Sequence, residues 1–212
     1  MIYSVMKSTK QYIWEIIPKN IPLIKKICNK CGHSHYYCSE KFRINAQKKS
    51  LDVWLIYRCE QCDNTFNAEV LSRVKSGKID ADLFERLSNN DPDTVWQYAF
   101  DTEVIRRNDL EQDNTRFEYD VIHENITLKK LSTMDADIIT FKIKTAYNLD
   151  LKLSRVVRQC FGISVNILKK LSDTGIFIMN AETVLKKCKI RDGVTVVVDR
   201  ERLAGFIGRV IH

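Results

Sequence analysis

Nowhere does the sequence hold a run of about 18 apolar residues, the least that carries a helix across a bilayer, and this excludes a membrane-spanning helix. Near the N-terminus Lys7 and Lys10 interrupt the chain before any long apolar stretch, which excludes a secretory signal peptide and predicts a cytoplasmic protein. Glycine is scarce, with seven in 212 residues, and no glycine-rich run forms a cradle for phosphate. Histidine is scarcer still at four, and His123 stands apart from the other three, so no nucleophile–base pair suggests itself around it. The middle of the chain also lacks paired carboxylates. These absences weigh against an enzyme.

What is present reads as a globular protein. Apolar residues make up 44% and charged residues 29% of the chain, enough apolar surface to bury a core and too much for a disordered segment. The net charge of +7 is unevenly spread. Residues 1–75 carry 13 basic and 6 acidic groups, residues 76–146 carry 9 and 15, and residues 147–212 carry 12 and 6. Two basic modules flank an acidic middle, a pattern that points to an anionic partner.

Seven cysteines, an odd number, argue against a disulfide scaffold, and four of them fall into two CxxC pairs. Cys28 and Cys31 precede Gly32, and Cys59 and Cys62 precede Asp63. Two thiolates two residues apart converge on one ion while the backbone reverses, and glycine eases that turn. Between the pairs, residues 51–58 (Leu-Asp-Val-Trp-Leu-Ile-Tyr-Arg) read as a strand, residues 36–45 as its partner and 46–50 as the connecting loop. Strands that return both knuckles to one point make a zinc ribbon, with Cys28, Cys31, Cys59 and Cys62 closing a tetrahedral, redox-inert zinc site that has no position for water. Cys38, His33 and His35 are the nearby competitors, as ligands or as neighbours of the site.

In the acidic middle, Asp91, Pro92 and Asp93 predict a helix start, with Val95, Trp96, Ala99, Phe100 and Val104 on its inner face. A shorter helix is predicted before it, with Leu83, Phe84 and Leu87 inward. Phe117, Tyr119 and Val121 alternate as in a strand, as do Ile139, Phe141 and Ile143.

Towards the C-terminus, Leu153, Val156, Val157, Cys160 and Phe161 predict an amphipathic helix ended by Gly162. Ser164 caps a second helix with Ile167, Leu168 and Leu171 inward, closed by Gly175. A short strand over 176–179, a turn over 180–182, a short run over 183–185, a basic run at Lys186, Lys187 and Lys189, and a turn at 191–193 before a strand over 194–198 complete the module.

The text from Lys152-Leu-Ser-Arg155 through Gly162-Ile-Ser164, Leu168-Lys-Lys-Leu171, Gly175 to Asn180, and Ile190-Arg-Asp-Gly193 resembles the RNA-binding domain first named for ribosomal protein S-four. The resemblance implies that basic residues on the helical face contact RNA phosphates. Here these are Lys152, Arg155, Arg158, Lys169 and Lys170, with Lys186 and Lys187 extending the patch. Val165 and Asn166 stand where that family carries arginine, and Ala181 where it carries glycine.

The stretch Phe42-Arg-Ile-Asn-Ala46, followed by Leu51 to Cys59, Cys62 and Asp63, resembles the pattern of an uncharacterised bacterial family known only as a domain of unknown function; Trp14 and Pro18 also suit it. That resemblance implies a bacterial, cytoplasmic protein with a zinc ribbon, and no activity.

The expectation is therefore an α+β protein in three parts: a zinc ribbon over 1–75, an acidic connector of helices and strands over 76–146, and an S-four-like module over 147–212. Its expected function is to bind structured RNA, ribosomal or transfer, with Lys41, Arg43, Lys48 and Lys49 of the ribbon hairpin as a second contact. The alternative is a zinc-ribbon adaptor that docks a protein partner without nucleic acid.

Overall fold

A computed structural model describes residues 8–47, 50–179 and 188–210. Lys48, Lys49, the turn over 180–182, the run over 183–185, and Lys186 and Lys187 therefore lie outside the described residues.

The chain clusters into two compact units where three consecutive segments were expected: Met1–Ile17 joins Asp120–His212 in one, and Pro18–Tyr119 forms the other. The reason is the first strand, β1 (Thr9–Pro18), which pairs in parallel not with its sequence neighbours but with a strand some 130 residues on. The chain then builds the other unit with β2 (Leu23–Lys25), β3 (His35–Gln47), β4 (Ser50–Cys59), β5 (Thr65–Lys75), α1 (Ala81–Ser88), α2 (Pro92–Ala99), α3 (Thr102–Arg107) and β6 (Glu111–Asp113). It returns at β7 (Tyr119–Ile122), followed by α4 (Leu128–Ser132), β8 (Ile138–Lys144), β9 (Leu149–Lys152), α5 (Leu153–Phe161), α6 (Val165–Asp173), β10 (Phe177–Met179), β11 (Lys189–Ile190), β12 (Thr195–Asp199) and α7 (Arg200–Val210). The mixed α+β class expected from the sequence is what the fold shows.

In the 18–119 unit, five strands form a sheet in the order β5-β4-β3-β2-β6, with every described pairing antiparallel. β4 alternates strictly: Leu51, Val53, Leu55, Tyr57 and Cys59 are all buried, while the residues between them are half-exposed. A two-residue period places one face against a core, and here Leu87, Val95, Ala99 and Val104 of the three helices join the same cluster. The acidic connector is thus split. α1, α2 and α3 cover this sheet, and residues 120–146, with α4, belong to the other unit.

One helix was expected from Asp91 onward, and two are found. Asp91 caps α2 by accepting from the Thr94 N–H, then Phe100 ends that helix and the Asp101 carboxylate accepts from the Glu103 and Val104 N–H groups to start α3. The second aspartate cap wins over the continuous apolar period because it satisfies donors that would otherwise be orphaned. Phe84, expected inward, is 39% exposed, and so is Ile167.

In the other unit, β10-β12-β8-β1-β7 form a five-stranded sheet, and β11 pairs with β9. Tyr12, Trp14 and Ile16 of β1 and Ile139, Phe141 and Ile143 of β8 are buried. Trp14 packs at 4.6 Å from Phe141 and edge-on at 5.2 Å from Phe161 of α5, measured between ring centroids. α5 ends at Gly162, whose φ of 61° is the left-handed conformation that only glycine adopts without strain. Ser164 caps α6 through the Ile167 N–H. No helix among the described residues is long and apolar enough to cross a membrane.

Candidate metal centre

The two CxxC turns are built alike, although the sequence between and after them differs. In the first, between β2 and β3, the Gly32 N–H donates to the Cys28 carbonyl at 2.9 Å and the Cys28 N–H donates to the His33 carbonyl at 2.7 Å. In the second, between β4 and β5, the Asp63 N–H donates to the Cys59 carbonyl at 3.0 Å and the Cys59 N–H donates to the Asn64 carbonyl at 2.9 Å. In each turn the residue after the second cysteine is left-handed, Gly32 at φ 76° and Asp63 at φ 55°. Glycine takes that conformation freely, and aspartate is among the few other residues that tolerate it. The Asp63 carboxylate also accepts from the Tyr37 hydroxyl at 2.8 Å, which ties the second turn to β3.

β3 and β4 carry the two turns to one end of the sheet, where Tyr36 lies opposite Cys59. The four sulfurs of Cys28, Cys31, Cys59 and Cys62 lie within 4.8 Å of one another. Cys28 and Cys62 are 3.7 Å apart at sulfur, and Cys31 and Cys59 are 3.5 Å apart. A tetrahedral ion with metal–sulfur bonds of about 2.3 Å has a sulfur–sulfur edge of about 3.8 Å. A disulfide would require about 2.05 Å. The spacing fits a metal and no disulfide, and all seven cysteines are free thiols.

Protonation points the same way. The Tyr36 hydroxyl donates to the Cys28 sulfur and, with the N–H groups of Cys31 and Lys30, holds that thiol down to about 5 against burial. Burial and the bond to Cys28 push Tyr36 itself up to about 12, so it stays a donor. At Cys31 the His33 N–H favours the thiolate, but burial and the three neighbouring sulfurs outweigh it and push the thiol up to about 12. One thiolate forms readily and its negative charge disfavours the next. A cation among the sulfurs would offset that repulsion.

Cys38 is not part of this group. Its half-buried thiol is pushed up to about 12 by desolvation, as expected of an inert small side chain. His33 and His35 do not replace a cysteine either; with Glu60 they form a separate group beside the sulfurs. Glu60 accepts both arms of Arg116, at 3.0 and 2.8 Å, and these bonds hold its carboxyl below the usual range. Tyr36, Glu60, Asp113 and Arg116 carry no sequence signal: Arg116 is 56 positions from Glu60 and meets it only in the folded unit.

The residues assigned to RNA are scattered over one unit. Lys152 ends β9, Arg155 and Arg158 lie on α5, and Lys169 and Lys170 on α6, a helix packed against α5. Lys152, Arg155, Lys169 and Lys170 are exposed. Arg158 differs: it is half-buried and its Nε donates to the Ile163 carbonyl at 3.4 Å, bracing the turn between the helices. Lys189 is paired with Asp150. In the other unit, exposed Arg43 sits across from Trp54, and both line a hollow of about 570 Å³ with Ile44, Asn45, Gln47 and Asn67.

No curated protein and no solved structure matches this chain. A family described as protein of unknown function (DUF1062) matches residues 44–183, a span that takes in Cys59, Cys62 and most of the described helices. The chain belongs to this DUF1062 family.

Proposed function

We propose that the four thiolates hold one structural zinc and that the protein binds structured RNA through the exposed cations of α5 and α6. Zinc is the ion that suits four thiolates in a closed tetrahedron, without redox chemistry and without an open position. Bound there, it would fasten β2–β3 to β4–β5 and contribute on the order of 10–16 kcal/mol to folding, the range of small zinc modules.

The observation that carries the RNA reading is that Lys152 at the end of β9 and Lys169 and Lys170 on α6 are exposed and without an ion-pair partner among the described residues. Elsewhere Lys25, Arg86, Arg106, Arg116 and Lys144 each have a carboxylate within 4 Å. Exposed cations on one unit lower the free energy of an approaching polyanion. The order β9-α5-α6-β10, with β11 returning to β9, suits the S-four-type resemblance and supports this reading. Trp54 and Arg43 offer a second contact, a ring for a base to stack on and a cation for phosphate. Lys152, Arg155, Lys169 and Lys170 carry the phosphate contacts; Arg158 serves the fold.

Titration of labelled structured RNA at several salt concentrations tests this. Each phosphate contact contributes about 0.7 to 0.9 to the log–log salt slope. Arg155→Glu combined with Lys169→Glu flattens the slope by about two contacts and weakens binding. Equal affinities and slopes for wild type and variant would discard the RNA reading in favour of a protein adaptor.

A further inference from the structure

Beside the four sulfurs stand two imidazoles and a carboxylate. His33, His35 and Glu60 each offer a ligand atom within 4.8 Å of the other two. His33 Nε2 is 3.4 Å from Glu60 Oε2, and the two imidazole centroids are 6.0 Å apart. With metal–nitrogen and metal–oxygen bonds near 2.1 Å, neighbouring ligand atoms on one ion stand about 3.0–3.4 Å apart. The His33–Glu60 separation is already at the edge of that range.

Two of the three groups are supported from behind, as metal ligands usually are. Glu60 is clasped by Arg116 through both oxygens. A carboxylate has about four lone-pair positions, so this clasp leaves room for a cation. His35 is held at both ring nitrogens. The Ser34 hydroxyl meets Nδ1 at 2.8 Å, and the buried Asp113 carboxylate meets Nε2 at 3.1 Å. The ring can give one nitrogen to a cation and keep the partner of the other: Asp113 if Nδ1 binds, Ser34 if Nε2 binds. Asp113 is itself kept ionised by the Thr115 backbone N–H and side chain, and by His35 and Lys25.

We propose that His33, His35 and Glu60 form a second site for a divalent transition ion, with two nitrogens and one oxygen as donors and at least one exchangeable position. The sequence links it tightly to the four-cysteine centre, since His33 follows Cys31 by two residues and Glu60 follows Cys59 directly. A divalent ion in four thiolates leaves that centre with two net negative charges, which attract a second cation nearby. Arg116 opposes this with one positive charge, while Glu60 and Asp113 add two negative ones. The second site is therefore weaker than the first, partly exposed, and strongest when the first is filled. Three protein ligands with an open position is the arrangement that binds water or an anionic ligand at the metal, unlike the closed four-thiolate centre.

The experiment is equilibrium dialysis of the purified full chain against increasing free zinc, with metal counted per chain, repeated with cobalt to read the ligand type. Wild type takes up one equivalent tightly and a second at higher free metal. Cobalt at the first site shows thiolate-to-metal charge transfer, and the second equivalent adds none. His33→Ala combined with His35→Ala, which leaves all four cysteines, retains the first equivalent and loses the second. Glu60→Gln, which preserves the shape and a bond to Arg116 but removes the anionic donor, weakens the second by at least the roughly 10-fold seen for lost outer supports and leaves the first unchanged. Saturation of wild type at one equivalent overturns the proposal. A second equivalent that survives the double histidine variant also overturns it, because that metal would sit elsewhere.

Discussion

Tyr36 places its hydroxyl on the sulfur of Cys28, and that bond does most to hold the thiol down to about 5 from its ordinary 9.0. A thiol already ionised at neutral pH gives up no proton when a metal arrives, so the metal does not compete with protons at that ligand. Tyr36→Phe removes the donor, and the Cys28 value rises toward 9.0. Between pH 5 and that new value the variant must release one more proton per metal than wild type. Its zinc affinity then falls about one decade more per pH unit as pH drops through this window. Chelator competition from pH 5.5 to 8.5 checks this; parallel pH profiles would mean that Tyr36 does not act on Cys28.

Removing the metal should act on one unit and spare the other. Cys28 and Cys59 are buried and belong to the same apolar cluster as Val53, Leu55 and Val95. Four crowded thiols, without a cation, return to mutual repulsion or protonation at the end of β3 and β4. Chelation, or Cys28→Ser, is expected to strip hydrogen-exchange protection from β2, β3 and β4 while β8 and β12 keep theirs. Cys160→Ala is the control. That thiol lies in α5 of the other unit, raised to about 12 by burial, and its loss leaves the metal content unchanged.

Arg158 and Lys169 separate stability from binding. Arg158 donates to the Ile163 carbonyl and fixes the α5–α6 turn. Arg158→Ala should cost about 1 kcal/mol of stability, the worth of one such bond, and leave the salt slope for RNA unaltered. Lys169→Ala should leave thermal stability within about 0.5 kcal/mol, as for most surface changes, and reduce the slope by about one contact. Thermal melts and salt titrations of the same two variants check both halves. A flattened slope for Arg158→Ala would return that residue to the RNA face.

Local signals in the sequence were enough for the elements around the four sulfurs. The CxxC spacing marks all four sulfurs, the alternation of residues 51–58 marks β4, and Asp91 and Ser164 mark helix starts because a cap is a local bond within three residues. The supports of the centre were invisible for the opposite reason. Asp113 reaches His35 across 78 positions and Arg116 reaches Glu60 across 56, and nothing in the pattern near either carboxylate announces its partner. Helix breaks were legible only in part. Asp101 resembles any acidic residue within an apolar period until its carboxylate is seen accepting from two backbone N–H groups.

Domain boundaries were the least legible, because nothing in the sequence of residues 9–18 ties them to the second half of the chain. The register of β1 with β8, Tyr12 beside Phe141 and Trp14 beside Ile143, is a parallel pairing that no turn residue signals. This makes a sharp prediction about fragments. Residues 18–119 hold a complete sheet, three covering helices and all four clustered cysteines, and are expected to fold alone with zinc. Residues 147–212, the expected third module, keep β12 and β10 but lose β8, against which β12 pairs from Thr195 to Asp199. They also lose Phe141 and Trp14, which fill the space beside Phe161 at 5.2 Å each. Stripped of that side of the core, with the β12 edge open, the fragment should stay unfolded or associate. In the full chain, Trp14→Ala should cost about 3–5 kcal/mol, the usual range for a buried large aromatic. Circular dichroism and two-dimensional amide spectra of the two fragments decide the matter. A monomeric, dispersed spectrum from 147–212 alone would show that β1 and β8 are dispensable, and that the C-terminal helices and strands make a domain by themselves.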